Sequence, residues 1–197
     1  MTERLKIMLY IVGGKILTMA GDVWEKGYLC IENGKIKELG PMKDGAPFPL
    51  PDGAEVINAL GCIVMPGLIE AHCHMGITEE KKGMEGDDCN ETVNPITPFL
   101  RSIDAINPMD AAFDDALKAG ITSAMIGPGS ANVVGGAFSF VKTHGRSIDE
   151  LIVLAPAAMK VAFGENPKVN YSGQGMSPAT RMAIAAMLRE ELFKARR

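Results

Sequence analysis

The stretch PGLIEAHCHMG, residues 66–76, decides how the rest of the chain is read. An apolar run ends in two histidines, His72 and His74, one residue apart. On a strand, residues i and i+2 point to one face, so His72 and His74 are expected to point together and Cys73 away, with Glu70 one step deeper on the histidine face. Two neutral imidazoles on neighbouring same-face positions can hold one divalent ion. Two histidines sharing a strand by chance is the competing reading, because HxH alone is a weak motif. GLIEAHCHM itself reads as a buried strand. It runs into the polar, irregular segment 76–98, and loops of that length in compact domains are often functional.

Upstream, residues 5–60 read as β structure. LKIMLYIV and KILTM are two strand candidates with GG as a turn between them. YLCIENGKIKEL is a hairpin turning at Asn33-Gly34. PMKDGAPFPLPDG is a surface connector, and EVINALGCIVMPG resumes short strands. Downstream, NPMDAAFDDALKAG predicts a helix capped by Asn107, with Pro108 in its first turn, Met109, Phe113, Ala116 and Leu117 on one face, and Gly120 as its stop. ITSAMIG is a strand, GPGSANVVGG a glycine-rich loop at its carboxyl end, and AFSFVKT a further strand. SIDELIVLAPAAMKVAF holds another, centred on VLA. A last helix is expected to be capped by Ser177 and opened by Pro178, with Met182, Ala185, Ala186, Leu188 and Leu192 as its apolar positions. Strands alternating with helices predict a parallel sheet with right-handed crossovers. At the carboxyl ends of such strands sites are built.

Composition narrows the function classes. The chain has 197 residues, 47% apolar and 22% charged, with a formal net charge of −4. That balance offers no electrostatic case for nucleic acid or an anionic membrane. No apolar run reaches the roughly 18 residues of a membrane span. Glu3 and the GGK turn argue against a signal peptide, so a cytoplasmic protein is expected. The four cysteines form no CxxC pair and read as free thiols, with Cys73 packed under a helix.

PGLIEAHCHMG resembles the first-strand signature of the amidohydrolase superfamily, PGxxDxHxH. YLCIENGKIKELG is similar to the pattern of that superfamily's small β-sandwich. Three further stretches are similar to its imidazolonepropionase-like branch: EGDDCNETVNPITPFLRSIDAINP, AGITSAMIGPGSANVVGGAFSFVKTHG, and MKVAFGENPK followed by TRMAIAAMLREEL. The resemblance covers nearly the whole chain, in order. It implies an α/β fold in two parts: residues 1–63 as the N-terminal portion of a β-sandwich, and residues 64–197 as the first three or four strands, with their helices, of a metal-dependent hydrolase (β/α)₈ barrel, left incomplete. It implies one or two divalent ions, zinc first, at the barrel mouth, with His72 and His74 as ligands. A bound ion of this kind activates water against an amide or cyclic amide C–N bond of a small molecule.

The family pattern uses two further histidines and a late aspartate, yet the sequence has only three histidines, and the third, His144, reads as surface. A full barrel takes about 250 residues. The chain therefore looks like the N-terminal half of an amidohydrolase, with weak or no metal binding and no hydrolysis by itself. Lys160 and Glu165 are candidates to complete the site, because relatives use a carboxylated lysine or a third-strand glutamate. Each also has a plain reading, Lys160 as a snorkelling cation and Glu165 as a loop acid. Gly129, Ser130 and Asn132 of the glycine-rich loop are candidate substrate contacts, and Asp87, Asp88, Asn90 and Glu91 read as solvated loop residues. The alternative to a hydrolase half is a non-catalytic remnant, or an assembly subunit that needs a second chain. The open strand edge predicts homo-oligomers or such a partner. A downstream open frame carrying the missing ligands would favour the hydrolase half or the two-chain assembly over the remnant.

Overall fold

Asn33 and Gly34 both adopt left-handed backbone angles, φ 53° and 72°, and join β2 (Val23–Glu32) to β3 (Lys35–Pro41) as the expected tight hairpin. Such angles match the twist of the flanking strands, so this dipeptide alone sets the local topology. The computed structural model describes residues 8–43, 45 and 47–197. Leu5–Ile7 of the first expected strand lie outside the described residues. From Met8 onward the chain does not turn at Gly13-Gly14. It continues as one strand, β1 (Met8–Leu17), whose pairing with β2 shifts register on both sides of Gly14. The glycine pair is a bulge, not a turn. On the other side of β1 lie β4 (Glu55–Asn58) and β5 (Ile63–Val64), both parallel to it. Ala59 and Lys15 hydrogen-bond across this excursion, to Val12 and Cys62 respectively. Tyr10, Ile16, Cys30 and Ala59 are buried, and Phe48 of the connector stacks on Tyr28 with centroids 4.5 Å apart.

The chain divides into two compact units, Met1–Pro66 and Gly67–Arg197. The second holds a four-stranded sheet in the order β6 (Leu68–Cys73), β7 (Ile121–Ile126), β8 (Val134–Lys142), β9 (Ile152–Val161). β6 and β7 are parallel, as expected, but β8 is antiparallel to both neighbours. The reason is the connections. Parallel neighbours need a crossover of a dozen or more residues. Only β6 and β7 have one, through the long loop and α1 (Ala111–Lys118). β7 reaches β8 through the short loop 127–133, and β8 reaches β9 through the single-turn helix α2 (Ile148–Leu151). The result is a mixed α/β unit.

Side-chain burial corrects several local expectations. β6 is not buried: Leu68 is 50% and Ile69 63% exposed, because β6 is an edge of this sheet. β7 and β8 are the interior strands, and Ala124, Ile126 and Val141 pack with Phe113 of α1, Leu151 of α2, Ile77, Cys89 and Ile106. The cap of α1 is Asp110, whose side chain accepts from the Ala112 amide at 3.3 Å, rather than Asn107. Asn107 instead accepts from the Met109 amide, Met109 is 70% exposed ahead of the helix, and Phe113 is the residue α1 buries. After β9 come α3 (Glu165–Ser172), which the sequence reading lacked, and α4 (Arg181–Ala195). Thr180 caps α4 in place of Ser177, and Ile184 is its fully buried residue, whereas Met182 and Leu192 are exposed.

Candidate metal centre at the end of the sheet

His72 is the penultimate residue of β6 and His74 lies one residue beyond its end. Their ring centroids are 5.2 Å apart and nearly perpendicular. The Nδ1 of His74 lies 2.7 Å from the carbonyl oxygen of Gly127, the first residue after β7. A carbonyl oxygen can only accept, so Nδ1 carries the proton and Nε2 is left with its lone pair. His72 is exposed and His74 half-buried. The Nε2 of His72 lies 3.3 Å from Nζ of Lys160, near the end of β9. Sheet order explains the meeting: β6, β7 and β9 run the same way, so their carboxyl ends lie at one end of the sheet.

Strand alternation placed Glu70 beside the histidines, and Glu70 and His74 line one hollow of about 440 Å³ together with Cys73, Ala112 and Ala116, on the side of α1. Its Oε1 accepts from the backbone amide of His72 at 3.0 Å. The pairing of β6 with β7 shifts register between Glu70 and Cys73. Cys73 packs against the cluster around Phe113, and burial pushes its thiol pKa up. Cys89 is raised by burial too.

The other sequence candidates divide. Lys160 reaches His72. Glu165 is not brought to the histidines: it starts α3, with Oε1 2.6 Å from Arg181 and Oε2 3.2 Å from Lys168. Those cations hold its carboxyl below its ordinary pKa, Lys168 foremost. Asn132 is fully buried, and its Nδ2 donates to the Asn94 carbonyl at 2.8 Å and to the Tyr171 hydroxyl at 3.1 Å. Its amide therefore locks the glycine-rich loop to α3. The amide of Gly129 donates to the Cys89 carbonyl at 2.8 Å. Ser130 is half-buried and lines a hollow with Asn90, Asn166 and Asn170. Asp87, Asp88, Asn90, Arg101, Pro128 and Gly135 border a polar hollow of about 410 Å³. Gly135 in turn faces the stem of Lys160. His144 is exposed, as expected.

Two residues at the site carried no sequence signal. Gly127 supplies the carbonyl for His74, and Phe138 of β8 lies with its ring centroid 5.5 Å from that of His72. Only the position of Gly127 at the end of ITSAMIG, opening the glycine-rich loop, could have pointed to the first. The donors that converge are thus two imidazoles and one amine. Among the described residues, no three His, Cys, Asp or Glu side chains come together as a metal cluster. Also among the described residues, no helix is long and apolar enough to cross a membrane.

No protein-family model matches the chain. It is 32% identical over 174 residues to amidohydrolase tasK of Hapsidospora irregularis, covering 82% of this chain and 17% of that protein. It is 47% identical over 72 residues to the 5-methylthioadenosine/S-adenosylhomocysteine deaminase of Symbiobacterium thermophilum, covering 36% of this chain and 16% of the relative. Among solved structures, an amidohydrolase from Thermotoga maritima superposes with a TM-score of 0.86 at 36% identity, over 95% of this chain and 47% of that one. The chain therefore spans about a sixth of the length of these curated relatives and about half of the Thermotoga protein. With an HxH pair at the end of the first sheet strand and this superposition, the chain belongs to the amidohydrolase superfamily.

Proposed function

We propose that this chain forms the N-terminal part of a metal-dependent amidohydrolase of the imidazolonepropionase-like branch, which hydrolyses a C–N bond of a small amide or cyclic amide. Its second unit is read as the opening strands of a (β/α)₈ barrel, left incomplete, and its first as part of a β-sandwich. The observation that carries this reading is the convergence of His72, His74 and Lys160 at one end of the sheet, with the His74 tautomer pinned by Gly127.

His72 and His74 would hold a divalent ion, zinc first, each through a neutral ring nitrogen. When bound, such an ion lowers the pKa of a water and polarises the substrate carbonyl. Gly127 fixes His74 by accepting a hydrogen bond from its Nδ1–H, which would leave Nε2 as the ligating nitrogen in a held orientation. As an ammonium, Lys160 donates toward Nε2 of His72 and competes with an ion there. As a neutral amine it can add to carbon dioxide, losing one proton and becoming a carbamate whose two oxygens can serve as ligands. The polar hollow beside Lys160, bordered by Asn90, Arg101 and Gly135, is where the substrate would lie.

Two imidazoles leave zinc short of the four ligands it usually takes. The chain alone is therefore expected to bind metal weakly and to hydrolyse nothing. The remaining strands would come from a second polypeptide or a longer one, and self-association through the open edges of β6 and β9 is expected without them. Cobalt titration followed by visible absorption tests the site. Weak, saturable binding that disappears in His72→Ala and His74→Ala is the expected result. Binding that ignores both substitutions, or a stoichiometric ion that survives chelator, counts against it.

A further inference from the structure

We infer that Phe138, seated on Gly127, is a positioning residue that holds the imidazole of His72 and the amine of Lys160 in one place. The purpose given to those donors rests on the metal reading above, but the positioning itself does not. Phe138 lies on interior strand β8 and is 5% exposed. Its ring meets His72 at 5.5 Å with a 48° tilt, and Nζ of Lys160 lies 6.0 Å from its centroid, at the limit of cation–π reach. A Cβ added at Gly127 would sit 2.3 Å from Cγ and Cδ1 of that ring. No side chain fits there, so the ring occupies the space a side chain of residue 127 would take. The same Gly127 offers its carbonyl to His74. One buried ring and one bare backbone unit therefore lie beside all three donors.

The need for such a platform follows from where the donors sit. His72 is exposed on an edge strand, and Lys160 has a long stem on the opposite edge. Among the described residues each of these strands is paired on one side alone, and ordering a rotamer-rich lysine is entropically costly. β8 lies between β7 and β9 and is packed along nearly its whole length, so a ring anchored there is the rigid reference both edges share.

The test uses the 197-residue chain without metal, compared as wild type, Phe138→Tyr, Phe138→Leu and Gly127→Ala. Nuclear Overhauser contacts between the His72 ring and the Lys160 side chain are the readout. They are expected in the wild type, retained when the ring is retained in Phe138→Tyr, and lost in Phe138→Leu while the other resonances stay dispersed. Gly127→Ala is expected to lose them too, by displacing the ring. Persistence of the contacts in well-folded Phe138→Leu overturns the inference. Should that variant unfold, the wild type decides: contacts from the Phe138 ring to both His72 and Lys160 support the inference, and their absence overturns it. Zinc titration runs in parallel, with binding about tenfold weaker expected in Phe138→Leu, the scale for loss of an outer-shell partner. A wild type that keeps the contacts but ignores zinc sinks the metal reading and leaves the positioning intact.

Discussion

β6 and β8 belong to one sheet and do opposite work. β6 carries His72 and leads directly into His74, yet its Leu68 and Ile69 face solvent. β8 carries no candidate ligand, yet it is buried along nearly all its length. The donors sit at an edge, and what holds them is anchored in the interior: the Gly127 carbonyl following β7 and the Phe138 ring on β8. An HxH motif shows where ligands are, whereas their precision comes from strands that bear none.

The comparison breaks most readily by cutting the interior. Ile126 of β7 is fully buried in the cluster with Phe113 and Val141. Ile126→Ala should cost about 2–5 kcal/mol. The same truncation at Ile69 on β6 should stay within about 0.5 kcal/mol. Urea unfolding of the two variants measures the contrast, and equal losses would show that β6 is covered in solution.

A smaller effect is expected where the long loop after β6 is tied down. The Asp110 carboxylate accepts from the amides of Gly76, Glu80 and Ala112, at 3.2, 3.2 and 3.3 Å. Asp110→Ala removes the α1 cap and the loop tether together, for a loss of about 2 kcal/mol, the upper end for an N-cap. Asp110→Asn should recover part of it.

Ile69→Lys leaves the interior untouched and places a charge on the open edge. Stability should be unchanged within about 0.5 kcal/mol, while self-association falls in sedimentation velocity. Unaltered association would locate the contact elsewhere, with the β9 edge as the next candidate.

The smallest effect concerns Glu165, which links α3 to α4 through Arg181. Its carboxyl is held below its ordinary 4.5 by Lys168 and Arg181. A depressed folded value means the contribution is present above 4.5 and fades as pH falls through the lower folded value. Glu165→Gln should therefore differ slightly from wild type near neutral pH and converge with it in acid. Convergence at high pH instead would reverse the sign.

How much of this could be read from the sequence depends on whether the signal was local. Asn33-Gly34 gave its hairpin because two residues with left-handed angles suffice to reverse a chain. His72 and His74 came together because they are only two residues apart. Strand direction was not local: β8 was expected to be parallel, since a β, loop, β pattern does not announce whether a crossover intervenes. Asn107 and Ser177 looked like caps, but tertiary packing began the helices a turn later, at Asp110 and Thr180. Lys160 was placed near a strand end, and its partner His72 lies across the whole sheet, so only the strand order could join them. Gly129, Ser130 and Asn132 lie in the loop between β7 and β8, and Asn132 is its internal brace.

The central claim is that His72 and His74 form one ion site whose geometry is set by Gly127 and Phe138. Anomalous diffraction at the zinc edge, from crystals of this chain soaked in zinc, tests it most directly. The account predicts a peak in contact with both imidazoles, at partial occupancy, which vanishes in His74→Ala. A peak away from both rings, or one that survives loss of His74 undiminished, would contradict it.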